Sequence, residues 1–115
     1  MSRAQFVALL EAALVREGHT VRRLSGAQAD LLAEKSGRRT LVACARWKAA
    51  STGEGPIEAL AAEIGRQQAH EAVFVALGEV TQPARALGAR SSIRLLGPAQ
   101  LTVLLGRQAP GLPHS

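Results

Sequence analysis

The residues that could do chemistry by themselves are few: this 115-residue chain has one cysteine, one aspartate and three histidines. The single Cys44 excludes an internal disulfide framework and a cysteine-rich zinc site. No histidine or asparagine lies near it in sequence, which favours a small core residue over a nucleophile. The histidines lack metal-ligand spacing, which favours packing or surface roles, and they are His19, His70 and His114.

The remaining candidates are carboxylates and cations. Asp30 is followed four residues later by Glu34, and in an extended strand the two share one face. Basic residues number 14 against nine acidic ones, for a net charge of +5. Twelve of the 14 are arginines, whose planar fork of donors suits phosphate, so the balance predicts an anionic partner such as DNA. The alternative is that a GC-rich genome yields arginine- and alanine-rich proteins without such a partner.

Seven cations cluster around the candidate strands and are the predicted nucleic-acid contacts: Arg22, Arg23, Lys35, Arg38, Arg39, Arg46 and Lys48. Alternatively, the same residues are surface cations that contact only water. Trp47 could stack on a base or cover the edge of a sheet.

Hydrophobic periodicity and turn residues predict the elements that position these side chains. In chain order they are a helix over 5–17, strands over 19–24, 29–34 and 40–46, a helix over 56–69, a strand over 72–77, a helix capped by Thr81 and reaching 88, a strand over 92–96 and a helix over 98–105. Residues 25–28 form a turn, 36–37 a tight hairpin and 49–55 a flexible loop. Ser2 is positioned to cap the first helix, and Gly18 to end it.

The order α-β-β-β-α-β-α-β-α predicts an α/β fold with a mixed sheet and helices on both faces. The strand over 40–46 is nearly all apolar, as expected of a central strand that is covered on both sides. We expect a single domain over 1–106 and a disordered tail over 107–115, which is rich in Gly and Pro. No apolar run approaches the ~20 residues that a membrane span needs, so we expect a soluble cytoplasmic protein.

The segment 26–48 resembles the Mrr-like branch of the PD-(D/E)XK nucleases, the restriction endonuclease-like superfamily. Asp30 stands where that family has its strand aspartate, Ser36-Gly37 is its hairpin, and 41–47 is its next strand, with Cys44 and Arg46-Trp47 at familiar places. The opening helix and the pieces after residue 73 extend the resemblance over nearly the whole chain.

The departures from the family pattern fall on the catalytic positions. The resemblance places the family's Gln at Ala43, its catalytic Lys at Ala45 and the Glu of its helix at Val7, so that Asp30 alone survives. An intact site of this family would cut DNA with magnesium, whereas these replacements imply a catalytically inactive relative that needs no cofactor. A migrated site would have to use Glu11 or Glu34 with Asp30 as metal ligands, and Lys48 could reach it only through a bulge.

Three hypotheses of function follow. The first is a nuclease-like domain that binds DNA, or acts as an interaction module, without cutting. The second is an active magnesium-dependent endodeoxyribonuclease with migrated catalytic residues. The third is a homodimeric protein-interaction unit that does not bind DNA, since dimers are common in the family that the chain resembles.

Overall fold

The computed structural model describes residues 3–24, 29–44, 51–76, 78–97 and 100. In chain order its elements are α1 (Arg3–Arg16), β1 (Thr20–Arg23), β2 (Leu31–Lys35), β3 (Arg38–Cys44), β4 (Ser51–Thr52), α2 (Glu54–Arg66), β5 (Glu71–Val75), β6 (Glu79–Val80), α3 (Gln82–Arg90) and β7 (Ile93–Leu96). The predicted α/β class and element order are confirmed. The predicted last helix, the tail over 107–115, the turn over 25–28 and the Ser2 cap lie outside the described residues.

Five strands form one mixed sheet in the order β1-β2-β3-β5-β7. The β1, β2 and β3 strands are consecutive antiparallel neighbours, whereas β3, β5 and β7 run parallel to one another. Parallel neighbours need crossover connections, and α2 and α3 supply them. The strand β3 therefore joins the antiparallel half of the sheet to the parallel half.

Both faces of the sheet are covered by apolar side chains. On one face, α1 contributes Phe6, Val7 and Leu10 to a cluster that includes Leu31 and Val42 of the sheet. On the other face, α2 and α3 pack onto a second cluster whose members include Leu32, Leu41, Ala43, Ile57 and Phe74. Because side chains alternate along a strand, adjacent residues of β3 serve opposite cores, which explains why this segment is apolar at successive positions.

Local turn chemistry also follows the sequence closely. Ser36 and Gly37 both have positive φ, 54° and 81°, the geometry of a two-residue hairpin that matches the twist of the flanking strands. The Thr81 hydroxyl accepts a hydrogen bond from the Ala84 amide at 3.3 Å, so the predicted cap of α3 is confirmed.

Two predicted boundaries are wrong. Residues 49–55 were expected as a loop, but Ser51–Thr52 pairs in parallel with Glu79–Val80, and α2 begins at Glu54. The partner of this short strand lies 28 residues further along the chain, so the pairing could not be predicted from the local sequence. The strand predicted over 29–34 begins only at Leu31, so Ala29 and Asp30 stand before the ladder.

The helices α1 and α2 end in the same motif. After α1, the amide of Gly18 bonds the Val15 carbonyl and the amide of His19 bonds the Leu14 carbonyl, with Gly18 at φ 97°. After α2, Gln68 and Ala69 repeat the two bonds, to Gly65 and Ile64. The left-handed position is here a glutamine at φ 54°, a conformation that costs an L-residue free energy.

We predict that Gln68→Gly raises the free energy of unfolding by about 0.5–1 kcal/mol, because glycine adopts the left-handed conformation without strain. Urea unfolding measures the change. The matched control is Gln68→Ala, which removes the amide group and keeps the Cβ. A glycine variant no more stable than the alanine variant would contradict the role assigned to this backbone position.

Candidate functional site

Asp30 lies at the point where the β2–β3 ladder stops. The ladder's last pair is Leu31 with Val42. Just beyond it, the Asp30 amide donates to the Val42 carbonyl at 2.8 Å, and the Cys44 amide donates to the Asp30 Oδ2 atom at 2.8 Å. A carboxylate oxygen thus accepts the hydrogen bond that a main-chain carbonyl of β2 would take if the ladder continued. The half-buried Asp30 side chain extends the pairing of β3.

The positions that the resemblance assigns to the family's Gln and Glu, Ala43 and Val7, carry apolar side chains on opposite faces of the sheet. Ala43 is buried and belongs to the cluster under α2 and α3, next to Leu41 and Phe74. Val7 is buried in the cluster under α1, on the opposite face of the sheet. Ala45, Arg46, Trp47 and Lys48 lie outside the described residues. The structure therefore gives the Asp30 carboxylate no polar partner from Ala43 or Val7.

Neither of the two carboxylates that could bind a metal together with Asp30 is available beside it: Glu11 is bound to Arg23, and Glu34 lies farther along the strand. The Glu11 Oε1 atom accepts a hydrogen bond from the Arg23 Nε atom at 2.8 Å, an ion pair that ties α1 to β1. Glu34 pairs with Thr20 and Arg39 towards the hairpin. Four residues of strand separate it from Asp30, which corresponds to about 13 Å. Within the described ranges, no three residues among His, Cys, Asp and Glu are grouped closely enough to hold a metal ion.

The seven predicted nucleic-acid contacts divide between the two ends of the sheet. Lys35, Arg38 and Arg39 surround the β2–β3 hairpin, whereas Arg22 and Arg23 lie in the half of β1 that pairs with Leu32 and Leu31, near Asp30. The seven residues of β3 separate these ends by about 20 Å. Arg46 and Lys48 fall outside the described part of the chain. The five cations that the structure describes therefore fall into two groups, one at each end of the sheet.

Two of the cations at the hairpin, Lys35 and Arg39, donate hydrogen bonds to backbone carbonyls of the same chain. The Lys35 Nζ atom donates to the Glu17 carbonyl at 2.7 Å, and Arg39 Nη1 donates to the Gln67 carbonyl at 3.4 Å. These acceptors end α1 and α2, where cations favour the negative end of the helix. Because a carbonyl carries no formal charge, Lys35 and Arg39 each keep their positive charge.

Arg38 has a charged partner instead. Its Nε and Nη2 atoms donate to the two carboxylate oxygens of Glu71, each at 3.2 Å. The Thr40 hydroxyl adds a hydrogen bond to the Glu71 Oε2 atom at 3.1 Å. The Arg38 guanidinium holds the pKa of Glu71 below its ordinary value, chiefly through this hydrogen bonding, and Glu71 raises the pKa of Arg38.

Sequence reasoning missed this partner and the residues next to it. His70 and Glu71 lie beside the hairpin because β5 begins there, in parallel register with β3. Arg94 is on β7, which pairs with β5, and it lines a depression together with Arg38 and His70. Parallel register cannot be read from local pattern, and a histidine at the start of a strand carries no distinctive spacing. The acidic first residue of an otherwise apolar strand, Glu71, was the one available signal.

Comparison with known proteins assigns the family. The model of the Mrr catalytic domain, described as a restriction endonuclease, matches residues 1–105. The chain belongs to the Mrr-type restriction endonuclease family. The resemblance drawn from 26–48 is thereby confirmed over nearly the whole chain. No curated protein matches it significantly.

A solved structure shares the fold. The crystal structure of a protein of unknown function, AF1548, superposes with a TM-score of 0.72 at 18% sequence identity. The match covers 90% of this chain and 65% of that one, so this domain spans less than two thirds of the longer protein. The similarity concerns fold alone. None of the helices in the described part of this Mrr-type chain has the length and apolar character of a membrane span.

We predict that Asp30→Ala lowers the free energy of unfolding of this Mrr-type domain by about 1–3 kcal/mol, because the half-buried Cys44 amide loses its acceptor. Asp30→Asn should cost at most about 1 kcal/mol, since an amide oxygen can accept the same bond. Urea unfolding gives both values, and hydrogen exchange at the Cys44 amide should accelerate only in the alanine variant. If the two variants were equally destabilised, the charge rather than the acceptor would be what matters.

Proposed function

We propose that this Mrr-type domain binds nucleic acid without cutting it. Membership of the restriction endonuclease family is the reason to propose DNA as the ligand.

The observation that carries the non-catalytic part is the hydrogen bond between the Cys44 amide and the Asp30 carboxylate, at 2.8 Å. It gives the inherited aspartate a structural task within the sheet. Magnesium prefers near-octahedral oxygen coordination and usually draws on more than one carboxylate or on substrate phosphate. In the described ranges the donor set does not fit such an ion, because Ala43 offers no ligand, Glu11 is paired with Arg23, and Glu34 is about 13 Å away along the strand.

The need for a cation beside the reacting phosphate also argues against cutting. Hydrolysis of a phosphodiester builds negative charge on the transferring group, and a nearby cation must stabilise it. By its resemblance to the family, the chain has Ala45 where the catalytic lysine belongs. Loss of one such stabiliser costs roughly two to three orders of magnitude in rate. A relative that lacks both the lysine and the second ligand should therefore have no measurable activity.

The DNA-binding part rests on uncompensated positive charge. The chain carries a net charge of +5. Lys35 and Arg39 are held by neutral carbonyls, and Arg22 makes no hydrogen bond or ion pair to any described residue. Positive charge that is fixed in place and not neutralised internally can replace the counterions of a phosphate backbone.

A second candidate is suggested by the surface of α1. Leu9 and Val15 are 43% and 53% exposed and are the large hydrophobic residues that stand out on the described surface. They favour a homodimer or another protein interface that would not need DNA. Light scattering on the isolated chain, compared with a Leu9→Gln and Val15→Gln variant, tests it directly.

The proposal predicts that purified protein does not nick supercoiled plasmid with magnesium or manganese. The control is Asp30→Asn, which keeps the acceptor for Cys44 and removes the carboxylate charge. Cleavage by the wild-type chain that disappears in Asp30→Asn would establish the alternative, an active enzyme with migrated residues.

The same protein should bind a short DNA duplex in 50 mM salt and lose affinity steeply as salt rises, because each phosphate contact releases counterions. Fluorescence anisotropy with a labelled duplex across a salt series gives the affinity and the slope. Absence of binding at the lowest salt would refute the DNA-binding part of the proposal and would favour the protein-interface candidate.

A further inference from the structure

An open depression of about 350 Å³ lies at the hairpin end of the sheet, where β3, β5 and β7 begin. The residues that line it include three basic side chains, a serine and a glutamate: Arg38, His70, Glu71, Ala89, Ser92, Ile93 and Arg94. None of these residues belongs to the positions that the Mrr-type family pattern assigns to catalysis.

His70 presents a fixed hydrogen-bond donor in this depression. The backbone amide of Arg39 donates to the His70 Nδ1 atom at 3.0 Å. A ring nitrogen that accepts a hydrogen bond carries no proton, so the proton of the neutral ring is on Nε2. The hairpin backbone thus selects the tautomer whose Nε2–H is free to donate to an acceptor such as a phosphate oxygen.

Arg94 supplies charge beside that donor. It lies on β7, its side chain is exposed, and it makes no hydrogen bond or ion pair within the part of the chain that the structure describes. The carboxylate of Glu71 is already bound by Arg38 and Thr40. The charge of Arg94 also helps to lower the pKa of Glu71, after the larger effect of the Arg38 hydrogen bond. Two arginines beside one carboxylate nevertheless leave an excess of positive charge in this depression.

The described residues at the hairpin end carry an excess of positive charge. Seven cations there exceed four carboxylates. The cations are Arg16, Lys35, Arg38, Arg39, Arg66, Arg90 and Arg94, and the carboxylates are Glu17, Glu34, Glu63 and Glu71.

The negative ends of the helices do not cancel this excess. Helices α1 and α2 end near the hairpin, and their last carbonyls accept bonds from the turn amides, from Lys35 and from Arg39. Carbonyls that are already bonded contribute less to the field of the helix end. An anion that approaches the hairpin end therefore meets a net positive surface.

We infer that the depression at the hairpin end binds a phosphate group of nucleic acid, with Arg94 and the Nε2–H of His70 as its main contacts and Ser92 beside them. This inference rests on the proposed function, and it deepens it by placing DNA at the end of the sheet opposite to Asp30. The domain would thus bind DNA with a surface that the family's catalytic residues do not occupy.

Two charge-matched variants test the inference in the full chain. Arg94→Gln removes a cation from the depression, whereas Arg90→Gln removes an equally exposed cation from the same end that does not line it. We expect Arg94→Gln to weaken duplex binding about tenfold, as loss of a charge-assisted hydrogen bond does, and to lower the salt slope by about 1. Arg90→Gln should change the slope by much less.

If the wild-type protein binds DNA and the two variants weaken that binding equally, this inference is wrong and the proposed function remains intact. If the wild-type chain bound no DNA even in 50 mM salt, the proposed function itself would fail. A greater loss on Arg22→Gln than on Arg94→Gln would place the contact at the Asp30 end and would also overturn the inference.

A second measurement follows His70 itself. In nitrogen-15 NMR spectra, addition of the duplex should shift the Nε2 resonance of His70, and Arg94→Gln should abolish that shift. Inorganic phosphate alone provides the comparison for a free anion: a shift with the duplex at lower ligand concentration than with phosphate supports a nucleic-acid site. A His70 resonance that does not move with duplex at saturating concentration would overturn the assignment.

Discussion

The structure depends on one constraint, which is that β3 is buried on both faces. Leu41 and Ala43 pack beneath α2 and α3, and Val42 packs beneath α1. A strand in this position can carry polar groups only at its two ends, because an unpaired polar side chain in either core would cost several kcal/mol. All chemistry near β3 must therefore be located where it begins, at the hairpin, or near Cys44, beside Asp30. The two places lie about 20 Å apart along β3, whose residues 41–43 are buried between them.

At the Asp30 end, the sheet uses the carboxylate for pairing. Where the β2–β3 ladder stops, the Asp30 Oδ2 atom accepts the hydrogen bond of the Cys44 amide. At the hairpin end, β5 begins beside β3 and brings Glu71 next to Arg38 and His70 next to Arg39, and Arg94 of β7 lines the same depression as Arg38 and His70. We propose that the sheet keeps Asp30 as a structural element and that the depression at the hairpin end supplies positive charge for DNA. This division is the physical basis of a domain that we propose binds DNA without cutting it.

Features that depend on interactions between adjacent residues could be predicted from the sequence. The apolar run of β3, the positive φ of Ser36-Gly37 and the Thr81 cap each follow from a few adjacent residues, and so did the family resemblance around Asp30. The sequence was insufficient where partners are distant in the chain. The pairing of Ser51–Thr52 with Glu79–Val80, the Arg38–Glu71 ion pair and the Arg39–His70 bond join segments about 30 residues apart. Each contact joins segments on the two sides of the α2 crossover, which places β5 beside β3. Arg22 and Arg23 are close to the hairpin in sequence, but the antiparallel direction of β1 and β2 puts them at the other end of the sheet.

We propose that Asp30 stabilises the sheet and does not hold a divalent ion. Backbone NMR spectra recorded during a titration with Mn²⁺, in the presence of bound duplex, distinguish the two roles, because the ion broadens the amides nearest to it. We expect the Asp30, Leu31 and Cys44 amides to broaden no more than amides beside other surface carboxylates such as Glu58 and Glu79. Selective broadening of those three amides at sub-stoichiometric Mn²⁺, abolished by Asp30→Asn, would contradict it.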